Sequence, residues 1–99
     1  MERHSLEPER VPPPGERRYL FLGARRVVLF TLAGTLHAID DSCPHQGASL
    51  FGGKLSGKVL RCPAHGLRFE LDGGGQQDGG LCLTRYRIDQ SGDEVAIWA

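Results

Sequence analysis

Four residues of this chain have the types and spacing to do chemistry. Cys43 and His45 stand in Cys43-Pro44-His45, Cys62 and His65 in Cys62-Pro63-Ala64-His65, and sixteen residues separate His45 from Cys62. Each cluster joins one thiolate to one imidazole, a combination that packing alone does not explain. It calls for a metal centre in which two sites of different softness lie side by side. A [2Fe–2S] cluster with two cysteines on one iron and two histidines on the other meets that demand. Ligands at i and i+2, then at i and i+3, do not share one face of a helix; they suit tight loops. Pro44 and Pro63 each follow a cysteine and stiffen its loop. Gly47 and Gly66 follow the histidines, where a missing Cβ lets backbone N–H groups approach sulfur.

Two other occupancies use the same residues. A Cys₂His₂ set also binds structural zinc, although zinc fingers place two cysteines in one half and two histidines in the other. A disulfide between Cys43 and Cys62 leaves both histidines unexplained and Cys82 odd,. Charge indicates what an iron centre here would do. Two ferric ions, two sulfides and two thiolates sum to zero, whereas an all-cysteine cluster stands at −2. A neutral centre accepts an electron more readily, so imidazole ligation raises the reduction potential. The electron should settle on the histidine-bound iron, the side nearest solvent. Electron exchange is the task this predicts, and no base–nucleophile set points to catalysis.

The elements that must position these loops read as short strands separated by turns. Arg18 to Leu22 is a first strand, Val27 to Leu32 a second and Thr35 to Ile39 a third, the last two forming a hairpin through Ala33-Gly34,. Lys58 to Arg61 and Leu67 to Leu71 flank the second Cys/His cluster. Cys82 to Ile88 and Glu94 to Trp98 form a closing hairpin around Gln90-Ser91-Gly92-Asp93. Asp72 to Gly80 has no apolar residue and reads as a surface loop. Residues 1–10 are polar and read as a flexible tail, followed by the stiff Val11-Pro12-Pro13-Pro14-Gly15,. Fourteen glycines and six prolines argue against long helices,. The expected architecture is all-β and antiparallel, a sandwich or barrel-like stack.

Ninety-nine residues suit one small domain,. Twelve basic against twelve acidic side chains give zero formal charge, so no basic stripe points to nucleic acid,. No apolar run reaches the roughly 18 residues of a membrane span. The charged start Met1-Glu2-Arg3-His4 lacks the apolar stretch of a signal peptide, and the expected location is cytoplasmic,. His37 and His4 read as structural or solvated, and Cys82, between Leu81 and Leu83, as a buried thiol,. Phe69, Tyr86 and Trp98 read as core. Arg17-Arg18 and Arg25-Arg26 read as a solvated face, while Arg61 and Arg68, flanking the second loop, could steer an acidic partner.

The sequence from about Val11 to Trp98 resembles the Rieske iron–sulfur domains. The likeness rests on Pro12-Pro13-Pro14-Gly15, Leu36-His37-Ala38-Ile39-Asp40-Asp41, Cys43-Pro44-His45-Gln46-Gly47-Ala48 and Cys62-Pro63-Ala64-His65-Gly66-Leu67-Arg68-Phe69. It implies a Rieske-type β-fold with a cluster-binding subdomain at about 41–71. It also implies that Cys43 and Cys62 hold one iron while His45 and His65 hold the other through Nδ1. Rieske proteins of respiratory complexes carry an added cysteine in each loop, and here those positions are Ala48 and Ala64. They also carry a serine and a tyrosine that donate to sulfur, where this chain has Leu67 and Phe69. Without those donors the potential falls. Asp72 to Gly80 also lacks the proline that the family often places in its covering loop. The resemblance therefore implies a soluble, low-potential ferredoxin, a one-electron carrier from a flavin-dependent reductase to a terminal oxygenase. The alternative is a small Rieske subunit of a larger oxidoreductase, such as an NADH-dependent nitrite reductase. A zinc-stabilised binding module is more remote.

Overall fold

A computed structural model describes residues 2–42, 49–63, 68–71, 83–92 and 94–99. Nine strands are present among them: β1 Arg3–Leu6, β2 Arg17–Leu22, β3 Arg25–Leu32, β4 Thr35–Asp40, β5 Lys54–Ser56, β6 Val59–Arg61, β7 Arg68–Glu70, β8 Arg85–Ser91 and β9 Glu94–Trp98. The one helical element among the described residues is a 3₁₀ turn at Pro8–Arg10. All strand pairs are antiparallel. They form a six-stranded sheet in the order β1-β9-β8-β4-β3-β2 and a three-stranded sheet in the order β5-β6-β7. The all-β expectation holds.

β3 explains how the two sheets share one molecule. Its run Val27-Val28-Leu29-Phe30-Thr31-Leu32 is buried throughout, as expected of a strand covered on both faces. Side chains alternate along a strand. Val27 and Leu29 therefore face one core, with Leu6, Leu20, Leu22, Ala38, Val95 and Ile97. Leu6 of edge strand β1 belongs to the same core as Leu20 and Leu22 of edge strand β2, so the sheet curls around a shared interior. Val28, Phe30 and Leu32 face the opposite way, onto Leu50, Leu60, Cys62, Phe69, Leu71 and Leu83. This second core joins the small sheet to the large one. The β3–β4 turn has two residues, Ala33 at φ 50° and Gly34 at φ 78°. Both lie in the left-handed region that a type I′ hairpin turn requires.

Three expectations need correction. Of the segment 1–10, expected as a tail, Arg3, His4, Ser5 and Leu6 are ordered into the sheet, since they pair with Trp98, Ile97, Ala96 and Val95. Glu2 and Ala99 extend the ladder with reciprocal N–H···O bonds of 3.0 Å. Backbone pairing and one buried leucine hold this strand, and neither leaves a periodic signal over four residues. The strand β5 was not anticipated, because Lys54-Leu55-Ser56 carries a single apolar residue. The strand expected from Cys82 instead begins at Arg85 and runs to Ser91, while Cys82 itself lies outside the described residues. So do Leu67 and Asp72 to Gly80, the segment expected to be a surface loop.

Candidate metal centre

The strand register gives the two Cys/His segments the same frame. Ser42 and Ser49 form an isolated antiparallel bridge, which encloses residues 43–48. Arg61 and Arg68 are paired across β6 and β7, which encloses residues 62–67. Each segment is six residues long (43 to 48, 62 to 67), and each opens on a cysteine. Of the four expected ligands, Cys62 falls within the described residues. It is 1 % exposed and packs into the second core. Cys43, His45 and His65 lie outside the described residues, as do Pro44, Gln46, Gly47, Ala48, Ala64 and Gly66.

Three residues to which the sequence alone assigns no part in the site fix the bases of these loops. Asp41 is the first. Its side chain is buried and its Oδ1 accepts from the Ser49 hydroxyl at 2.9 Å, the Leu50 N–H at 3.1 Å and the Phe51 N–H at 3.0 Å. The Leu50 N–H also donates to the Asp41 carbonyl at 2.7 Å. One carboxylate therefore gathers the returning strand of the first loop onto its departing strand. Charge-assisted bonds of this kind are the stronger class.

Arg17 is the second. Expected with Arg18 on a solvated face, it instead donates from Nη1 to the carbonyls of Phe51 at 2.8 Å and Gly53 at 2.6 Å. Its guanidinium lies 5.1 Å from the centre of the Phe30 ring, within cation–π range. Edge strand β2 is thereby tied to the exit of the first loop. Gly53 is the third. A methyl group there would lie 2.5 Å from the Arg61 carbonyl oxygen and 3.1 Å from that of Leu50. Only glycine allows the first loop's exit to cross the backbone just ahead of Cys62. Asp and Gly pairs are turn-forming residues, a signal that could have drawn attention to Asp40-Asp41 and Gly52-Gly53, but nothing local marks Arg17.

The exit of the first loop thus meets the entry of the second where Gly53 approaches the Arg61 carbonyl, at one end of the small sheet. Cys62 is embedded among Leu50, Leu60, Phe69, Leu71 and Leu83. Such an apolar seat suits a cluster whose oxidised form has no net charge, since it costs far less to desolvate than an anion. On that observation the residues fit the group. Phe69, at 0 % exposure, pairs with Leu60 inside this core and offers no hydroxyl.

The expected core aromatics behave differently from one another. Phe69 is fully enclosed, while Tyr86 and Trp98 are half-buried and hydrogen-bonded. The Tyr86 hydroxyl donates to Asp40 Oδ1 at 3.1 Å. Burial first, then the Asp40 charge, raises the Tyr86 phenol above its ordinary pKa. The Trp98 Nε1 donates to Asp89 Oδ2 at 2.7 Å, and this bond is the leading cause that holds the Asp89 carboxyl below its usual value. His37 is a buried residue of β4, opposite Phe30, and His4 is a half-buried residue of β1.

This curled antiparallel sheet with a three-stranded annex and two equal cysteine-led loops defines a class of iron–sulfur domain. The chain belongs to the Rieske [2Fe-2S] domain family, whose model matches residues 4–87. It is similar to the ferredoxin component of the alkene monooxygenase system of Xanthobacter autotrophicus, with 36 % identity over 85 residues, 84 % of this chain and 70 % of that protein. It is 41 % identical over 87 residues to human apoptosis-inducing factor 3, covering 86 % of this chain but 14 % of that larger protein. Among solved structures it resembles the complex of reduced oxygenase and oxidized ferredoxin in carbazole 1,9a-dioxygenase. There the TM-score is 0.73 at 29 % identity, covering 85 % of this chain and 81 % of the other. No helix among the described residues is long and apolar enough to cross a membrane.

Proposed function

We propose that this chain is a one-electron carrier that takes electrons from a flavin-dependent reductase and delivers them to a terminal oxygenase. The observation that carries the reading is the pair of six-residue loops, each opening on a cysteine, joined at Gly53 and Arg61. The ferredoxin component among its relatives supports the same role. In this proposal Cys43 and Cys62 hold one iron and His45 and His65 the other. When bound, the cluster supplies a reversible one-electron change of charge. The protein's contribution is positional. Asp41 closes the first loop, Arg17 fastens its exit to β2, and the apolar core around Cys62 excludes water. The region 41–71 carries the cluster, and residues 1–99 form a single domain around it. A cytoplasmic setting belongs to the same proposal, because free thiolates persist in a reducing compartment.

Phe69 supports a low potential, since by the resemblance it stands where respiratory Rieske proteins carry a tyrosine, and its ring has no hydroxyl to stabilise charge on sulfur. The test is a potentiometric titration of the purified holoprotein followed at its visible absorption. The expected midpoint lies near the low end of the Rieske range, about −150 mV. A midpoint near the upper end, about +300 mV, would overturn the assignment as a carrier of this type.

A further inference from the structure

The outer face of the small sheet carries a row of three cations. Lys54 is paired with Arg61, and Arg61 with Arg68, so the three stand side by side across β5, β6 and β7. Paired residues share a face, and the inward row of the same sheet is Leu55, Leu60 and Phe69. All three cations are exposed. Like charges placed directly opposite one another destabilise a sheet. Here two such pairs stand adjacent in a chain whose formal charge is zero. Glu70 stands on the same outer face, opposite Val59 in the register. The row borders a shallow groove of about 340 Å³ lined by Lys54, Ser56, Val59, Arg61 and Arg68. An adjoining recess is lined by Gly52, Lys54, Arg61, Cys62 and Pro63. The groove and the recess share Lys54 and Arg61, so the cationic surface adjoins the start of the second Cys/His loop.

We propose that Lys54, Arg61 and Arg68 form the docking face for a redox protein whose surface around its own cofactor is acidic. Charge complementarity chooses that occupant, and continuity with the Cys62 loop explains why docking there would serve electron exchange. This inference rests on the electron-carrier reading and adds the chemistry of the partner. Cations clustered on one face raise the encounter rate with an acidic partner, and salt screens the effect.

The test is stopped-flow reduction of the holoprotein by a fully reduced flavodoxin, a small acidic flavoprotein, followed as bleaching of the visible band. One electron leaves the flavin and one enters the cluster. For the unmodified protein the second-order rate at about 20 mM salt should exceed that at about 300 mM by about tenfold. In the triple variant Lys54→Gln, Arg61→Gln, Arg68→Gln, the low-salt rate should fall to within about twofold of that screened value. Arg61→Glu alone should lower the low-salt rate and flatten its salt dependence, which keeps the test available should the triple variant lose its cluster. A variant that keeps a fast, salt-sensitive reaction overturns the proposal. So does an equal loss of rate when reduced holoprotein passes its electron to basic cytochrome c. Absence of visible bands in the unmodified protein would instead refute the carrier reading, whereas intact bands with no salt dependence refute the docking face alone.

Discussion

Asp41→Ala removes the group that closes the first loop, and the structure bounds the cost. Three donors converge on Oδ1, from Ser49, Leu50 and Phe51. The Leu50 N–H keeps the Asp41 carbonyl as acceptor, and Ser49, being exposed, can turn its hydroxyl to water. The loss is therefore closer to one charge-assisted bond and part of a second, at about 1.5–3 kcal/mol for each such bond. We expect about 2–4 kcal/mol in all. Asp41→Asn keeps an acceptor oxygen without the charge and should cost about half as much. With a urea slope of about 1–2 kcal/mol/M for a chain of this size, Asp41→Ala should lower the denaturation midpoint by about 2 M. Trp98 fluorescence reports unfolding and visible absorbance reports the cluster, and both should move together. If the Asp41→Ala midpoint lay within about 0.3 M of the unmodified value, the carboxylate would not be what closes the loop.

Other substitutions test the remaining contacts. Gly53→Ala forces a methyl into the Arg61 backbone carbonyl and should cost about 1–3 kcal/mol with reduced iron content. A Cβ at Gly52 meets no neighbour within 4 Å among the described residues, so Gly52→Ala should stay within about 0.5 kcal/mol, read from the same denaturation curves. Arg17→Met keeps the aliphatic stem but loses both carbonyl contacts, so cluster release to a chelator should accelerate about tenfold, matching a loss of about 1–2 kcal/mol. Tyr86→Phe tests the raised phenol. The folded state holds that proton more tightly than the unfolded chain, whose tyrosine titrates near 10.0. The contribution is complete below that pH and is lost as pH rises through the folded pKa. Stability of the unmodified protein should therefore decline more steeply above pH 10 than that of the variant, as followed by alkaline denaturation.

Much of this fold was legible because the strands that build it carry strong patterns. Val27 to Leu32 announces a strand buried on both faces, and Ala33-Gly34 marks the turn into β4. β1 was hidden because four residues held by backbone pairing to the chain's last strand carry no periodicity. β5 was hidden because a strand with one buried leucine reads as a loop. At the site, residue types at Cys43, His45, Cys62 and His65 pointed to the cluster, and the two prolines pointed to stiff loops. Their equal length emerged only from the register of Ser42 with Ser49 and Arg61 with Arg68. Arg17 was unreadable for another reason: its acceptors are the carbonyls of Phe51 and Gly53, more than thirty positions away, and backbone acceptors leave no trace in residue identity.

Iron and acid-labile sulfide, quantified in anaerobically purified protein, test the central claim most directly. The account predicts two of each per chain, as the Rieske [2Fe-2S] family requires, and loss of both when His45→Ala and His65→Ala are combined. Colourless protein with stoichiometric zinc and no sulfide would contradict it.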